Sequence, residues 1–229
     1  RLVGAEAAAG NVQSARPGPA HGHRENRHET GRRHRDAHYA ELLAGVKPPH
    51  REAVAHLVRQ ALADNGLSGA VKTSGAKGLH VFVPIEDTRT EDAAAATRAL
   101  AARAERLDPA LATTEFIRED RGGKVFLDST RAGGATVVAA YSPRARPGAP
   151  VSFPVAWDDL DQVTPADFTV RNAATLLARS NPWAELMPAP QQVAPVLIEE
   201  GHEIPVARVR AMHEGKRRAR ARRAADEDA

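Results

Sequence analysis

The sequence predicts an α+β fold, a mixed sheet flanked by helices, on three observations. A helical apolar stripe follows residue 50. A strand–turn–strand unit, "VKTSGAKGLHVFVPI" (71–85), comes directly after it, and an Ala-rich helical stretch comes after that. Strands therefore alternate with helices, but in hairpin-like pairs, which argues for a mixed layer over a doubly wound parallel sheet.

The elements follow in order. Val54, Leu57, Val58, Ala61 and Leu62 recur at helical spacing, with Pro48 and Pro49 before them and Asn65-Gly66 placed to close the helix. The hairpin strands are read as Gly69–Thr73 and Leu79–Pro84. Thr88 to Glu91, "TRTE", reads as a capping box opening a helix to about Leu107, with Ala95, Leu100, Ala104 and Leu107 in its stripe. "ATTEFI", "KVFLD" and "ATVVAAYS" read as strands, and "RARPGAPVS" as a loop. Thr164 is placed as an N-cap with Pro165 at the first helical position. An exposed basic helix is expected from Pro205 to about Arg223. Three regions result: a poorly ordered segment 1–47, a main domain 48–190, and a C-terminal extension 191–229 carrying the basic helix.

Composition narrows the function classes. Of 229 residues, 42% are apolar, enough for a core, but only 4% are aromatic, so aliphatic residues and alanine must carry the packing. There is no cysteine, which removes disulfides and thiolate metal sites. No apolar run approaches the ~20 residues a membrane helix needs, and no secretory pattern opens the chain, so a cytoplasmic location is expected. The net charge is only +3, so its distribution matters more than its total. "KRRARARR", with Lys216, Arg217 and Arg218, can neutralise phosphates, although a solvated helix end explains it equally well. His21, His23, His28, His34, His38 and His50 crowd the first fifty residues, but without regular spacing or a carboxylate frame.

The hairpin turn holds the chemistry. Gly75 and Gly78 permit close backbone approach and positive φ, and exposed amides in such a turn can form an anion-binding nest. Ser74 offers a hydroxyl, Lys72 and Lys77 supply charge, and His80 can face the ligand side of its strand. These groups suit a triphosphate. A plain lysine-rich turn is the alternative that the turn alone leaves open. Further on, Asp128 ends an apolar strand, Arg131 follows it, and Arg144 and Arg146 flank the next strand's end. A carboxylate and arginines around a phosphate-binding turn suit metal-dependent nucleotidyl transfer.

The segments "VKTSGAKGLHVFVPI", "KVFLDSTRAGGATVVAAYSPRARPGAPVSFPVAWDDL" and "TPADFTVRNAATLLA" resemble, in order, the polymerase domain of bacterial DNA ligase D. That domain belongs to the archaeo-eukaryotic primase superfamily and serves non-homologous end joining. The resemblance implies a primase-polymerase-like fold with nucleotide addition at DNA ends, using Mn²⁺ or Mg²⁺. It implies a nucleoside triphosphate and DNA ends as partners, with an end-binding protein and a DNA ligase beside them. Carried over residue by residue, Ser74 and His80 hold the incoming phosphates, beside the candidates Gly75 and Lys77 read from the turn itself. Asp128 becomes the catalytic carboxylate and a metal ligand. Arg131 and Arg144 line the nucleotide and template side. Apart from the resemblance, Arg146 and the basic helix, with Lys216, Arg217 and Arg218, are candidate DNA contacts by their charge. The segment after Asp128 is one residue shorter than the family's pattern, which bears on the orientation of Arg131.

The family's first motif, a strand ending in D-x-D-P, is absent. In "LLAGVKPPH", aligning the prolines puts Gly45 and Lys47 where the two acids stand. Gly offers no ligand, and the charge on Lys repels a divalent cation. The first strands are thus expected to be missing or altered. Arg, Ala, Gly, Pro and His dominate residues 1–47, as in an out-of-frame reading of a GC-rich gene. Translation of the other two frames, sought for a D-x-D-P before the prolines, tests this against a genuinely diverged, non-catalytic paralogue. With the D-x-D motif gone, nucleotide addition is expected to be impaired, with a non-catalytic nucleotide- or DNA-end-binding module as the alternative.

Overall fold

Helix α1 (Arg51–Ala63) buries Val54, Ala55, Ala61 and Leu62. It ends at Gly66, whose φ is +69°, with the Leu67 amide returning to the Leu62 carbonyl. The computed structural model describes residues 51–133 and 136–227, all within one packed unit. Residues 1–50, including Gly45, Lys47 and all six of the early histidines, lie outside the described residues.

Strands β1 (Ala70–Thr73) and β2 (Leu79–Phe82) form the expected hairpin, with Lys72 opposite His80 and Thr73 opposite Leu79. β1 is the central strand and is wholly buried. Its other edge pairs antiparallel with β5 (Pro154–Val155). A second, two-stranded parallel sheet joins β3 (Ala112–Thr113) to β4 (Val125–Phe126). Antiparallel and parallel pairings thus occur in two separate small sheets, which with the helices give the α+β class predicted from the sequence. The Trp157 indole donates to the Gly69 carbonyl at 2.7 Å and packs against the core cluster of Ala55, Val71, Val155 and Leu160, a packing role rather than an exposed stacking platform.

Helix α2 (Thr90–Leu107) shows how a chain poor in aromatics packs. Ala93, Ala95, Ala96, Ala99 and Ala104 are buried, whereas Leu107, expected in the stripe, is exposed. The small side chains let α5 (Pro195–Glu203) approach closely: a Cβ on Gly201 would lie 1.9 Å from the Ala95 carbonyl oxygen. Arg98 Nε donates to the carbonyls of Gly201 and Ile204, satisfying the end of α5. Leu197 is fully buried beside Leu62, Ala96 and Ala99. Residues after 190 therefore complete the core, and the boundary drawn there marks no break in packing. Short helices α3 (Ala173–Leu177) and α4 (Pro182–Leu186) precede α5, and α6 (Ala207–Glu227) is the expected basic helix.

Two local expectations are corrected. The capping box at Thr88 is not formed: its hydroxyl donates to the Glu86 carbonyl at 2.8 Å, and α2 starts after Arg89 with no side-chain cap. "ATVVAAYS" is not a strand. Its described residues are irregular up to Tyr141, which takes φ +66°, and beyond them only an isolated bridge between Pro143 and Val151 forms. Positive φ breaks an extended run, and Pro143 has no N–H to extend a ladder. The predicted cap at Thr164 does form, with Asp167 completing it.

Candidate nucleotide-binding site

The five-residue turn Ser74–Gly78 joins β1 to β2. Ser74 Oγ accepts from the amides of Ala76 (3.2 Å) and Gly78 (3.1 Å), and the Ser74 amide donates to the Gly78 carbonyl. The expected nest is corrected here, because these two amides serve the serine and are not offered to an anion. With both amides occupying the oxygen's lone pairs, the Ser74 hydroxyl hydrogen remains as the outgoing donor. Lys77 is exposed at the tip, and its carbonyl accepts from Arg51 Nη1 at 2.7 Å, which ties α1 to the turn.

Gly75 takes φ +64° and is pressed against its surroundings: a Cβ there would lie 2.7 Å from Arg144 Cγ and 3.0 Å from the Ser152 amide. The turn and the Arg144 stem are thus in contact.

Lys72 and His80 face each other across the hairpin. The Lys72 ammonium lies 3.0 Å from His80 Nδ1 and 2.6 Å from Ser152 Oγ, while Ser152 donates to the Thr73 carbonyl at 2.7 Å. Lys72 and Ser152 are completely buried. Burial and then the Arg144 charge bring the Lys72 ammonium down to about 8. His80 is brought down to about 4 by burial and by the charges of Lys72, Arg131 and Arg144, with Asp128 pulling the other way. The charges of Arg131, Arg144 and Asp128 thus all bear on this imidazole.

Asp128 emerges just past β4. Its Oδ1 accepts from the Thr130 amide (3.1 Å) and hydroxyl (2.5 Å), and its Oδ2 from Arg131 Nε (2.9 Å). Partial burial pushes the carboxyl up, but the Thr130 and Arg131 hydrogen bonds outweigh it and hold it below its ordinary range. A divalent cation needs several oxygen ligands. Asp128 already spends both oxygens on donors, and no cluster of three metal-ligating side chains exists among the described residues. The described residues do not fit a two-metal centre.

The remaining candidates lie apart from this cluster of partners. Arg146 is exposed on the loop before Val151. On α6, Arg217 pairs with Glu214, and Arg218 pairs with both Glu214 and Asp120, which fastens the helix to the turn at Arg118–Arg121. Lys216 is exposed. Sequence reasoning missed Ser152, because nothing in "APVSFPV" marks a serine that would hold a lysine eighty residues away. It also missed Arg51, whose position next to the prolines was the only cue.

The geometry is a glycine-bearing turn on an α+β domain, with Lys72, His80 and Arg144 against it and the Asp128–Arg131 pair past β4. Comparison with known proteins says which family the chain matches. The family described as the LigD primase-polymerase domain matches residues 45–183, and the chain belongs to it. The non-homologous end joining DNA repair protein LigD of Mycobacterium tuberculosis is 35% identical over 152 residues, covering 66% of this chain and 20% of the relative. The Pseudomonas aeruginosa LigD is 36% identical over 135 residues, covering 56% and 16%. The chain thus spans about a fifth of the length of these curated relatives. Among solved structures, the polymerase domain of M. tuberculosis ligase D in complex with DNA superposes with a TM-score of 0.56 at 34% identity, covering 63% of this chain and 52% of that one.

Proposed function

We propose that the chain is a ligase D-type polymerase domain that binds a nucleoside triphosphate at DNA ends in non-homologous end joining, and that its nucleotide addition is impaired by loss of the D-x-D metal motif. One observation supports the reading: the Arg144 stem packs against Gly75 of the turn that joins Ser74 to His80, and the charges of Arg131 and Asp128, themselves paired, bear on the same imidazole. In the proposed roles, Ser74 and His80 donate to phosphate oxygens, while Arg131 and Arg144 balance the polyphosphate charge. Asp128 is the one carboxylate left for Mn²⁺ or Mg²⁺. Exposed Arg146 and Lys216 are the proposed DNA contacts. The relative solved with DNA supports DNA ends as the partner. A DNA ligase and an end-binding protein are proposed on the relatives' role in end joining.

A second reading, a non-catalytic nucleotide- or DNA-end-binding module, is favoured by the Asp128–Arg131 ion pair, which occupies the carboxylate a metal would need. Incorporation of labelled nucleotide on a primer–template with Mn²⁺ separates the two: weak extension above background supports the impaired polymerase, and none supports the binding module. We expect weak extension above background, together with gel-shift binding to DNA ends that weakens steeply as salt rises. Robust extension would refute the impairment. Absence of DNA binding at low salt would refute DNA ends as the partner. Replacing Gly45→Asp and Lys47→Asp together should raise incorporation in the same assay, and no gain would mean that the missing acids are not the cause.

A further inference from the structure

The pocket has a cation behind it that contacts no ligand in the reading above. Lys72 lies in the middle of the central strand, fully buried. An apolar residue there would avoid the desolvation of an ammonium. The ammonium is nevertheless held from two sides, by Ser152 Oγ at 2.6 Å and His80 Nδ1 at 3.0 Å, with the Phe82 ring centroid 5.5 Å away. Ser152 is itself committed, since its hydroxyl donates to the Thr73 carbonyl, so its oxygen can only accept from Lys72. The register places Lys72 directly opposite His80, so the contact is built into the hairpin and does not depend on a mobile side chain.

An ammonium has only donors. The nitrogen it meets on His80 must therefore present a lone pair, and the one hydrogen of the neutral imidazole must then sit on Nε2. We propose that Lys72 is a positioning residue which, by donating to Nδ1, locks His80 as the neutral Nε2–H form and so gives the pocket one fixed hydrogen-bond donor for a phosphate oxygen. Protonation of His80 would set an N–H against the ammonium at 3.0 Å, donor against donor and charge against charge. The groups around the ring lean the same way: Lys72 on β1, Arg131 after β4 and Arg144 after Tyr141 oppose a charged imidazole, and Asp128 alone favours it. Burial and the Lys72 charge are the leading causes that hold the ring neutral down to about pH 4. The lock rests on the pocket reading only for what the imidazole faces, because its tautomer can be read without a ligand.

Nitrogen NMR of histidine-labelled, metal-free protein is the test. In the wild type, His80 should show the Nε2–H tautomer at neutral pH and should not titrate until the pH falls well below 6. Lys72→Met should mix the tautomers and move the titration up by at least a unit, and should weaken ATP binding in EDTA about tenfold through loss of the fixed donor. Lys72→Arg keeps a cation that has donors and no acceptor. It should preserve both the tautomer and the low titration, which Lys72→Met loses. Should Lys72→Met fail to fold, the wild-type tautomer and the Arg variant decide. An Nδ1–H or charged His80 in the wild type, or an unchanged tautomer in Lys72→Met, overturns the inference. The expected tautomer together with no ATP binding would overturn the pocket reading alone.

Discussion

Gly75 is the residue on which the pocket's geometry turns. Its φ of +64° costs a side-chain-bearing residue about 1 kcal/mol or more, and a Cβ would also collide with the Arg144 stem and the Ser152 backbone. Gly75→Ala should therefore destabilise the protein by about 2 kcal/mol or more in urea denaturation, and should weaken ATP binding because Arg144 must move. Gly122 makes the matched control: its φ is +57°, but a Cβ there meets nothing within 4 Å, so Gly122→Ala should carry only the conformational cost of about 1 kcal/mol. Equal losses in the two variants would mean that the close approach at Gly75 contributes nothing. The same small region sets a pH response. His80 falls from 6.5 in its ordinary state to about 4 in the fold, so between those values the unfolded chain binds more protons. Its contribution is present above about pH 6.5 and is lost as the pH falls to about 4. The depressed Asp128 carboxyl acts in the same direction in acid. Lys72 falls from 10.5 to about 8, so its contribution grows as the pH rises from about 8 to 10.5. Melting temperatures across this range should fall on the acid side more steeply for the wild type than for His80→Gln. Parallel acid limbs would show that His80 stays solvated or charged in the fold.

Among the elements, the α2–α5 contact is the one most dependent on small residues. Backbone meets backbone at Gly201 and Ala95, and the flanks are held by Arg103 and Arg106 on Glu200 and by His202 on Asp92. Gly201→Ala forces the helices apart at a point where neither neighbour is a flexible side-chain end, so it should cost about 3 kcal/mol or more in urea denaturation. Gly215, on exposed α6, has nothing within 4 Å of a Cβ, and Gly215→Ala should be neutral or stabilising by a few tenths of a kcal/mol up to about 1. A loss at Gly215 comparable to that at Gly201 would mean that helix propensity, not close approach, governs both. These elements also show what was legible in the sequence. α1, α2 and the hairpin could be read because local signals agree there: an apolar period, a left-handed glycine after α1, and a glycine-bearing turn between two apolar runs. Ser74, His80 and Asp128 could be singled out because each sits in a short motif beside a strand end, whereas Arg131 and Arg144 follow turns and irregular chain. Leu107 and "ATVVAAYS" were not legible, since exposure and strand pairing depend on partners distant in sequence. Neither was Lys72 as a core residue: a lysine in an apolar strand reads as solvent-facing until Ser152 and His80 are seen to hold it.

Across the whole molecule, charge decides what the pocket prefers. Lys72, Arg131 and Arg144 surround one half-buried imidazole with cations, against a single carboxylate that Arg131 and Thr130 already occupy. Such a field favours a polyanion and disfavours a second cation. The family's transfer chemistry needs the opposite balance at the same place, with carboxylates enough to hold metal against the nucleotide's own charge. Two measurements on the intact chain expose the difference. ATP in EDTA should bind, and its affinity should fall as salt rises, because the contacts are ionic and partly exposed. Mn²⁺ alone, followed by paramagnetic line broadening, should find no tight site, and Asp128→Asn should change that result little while releasing Arg131. ATP affinity in Asp128→Asn should then rise, since a negative charge is removed from beside the phosphates and a guanidinium is freed to pair with them. A fall in metal-free ATP affinity in that variant would mean that Asp128 holds Arg131 in its working position, and that the ion pair is part of the anion site rather than a competitor of it.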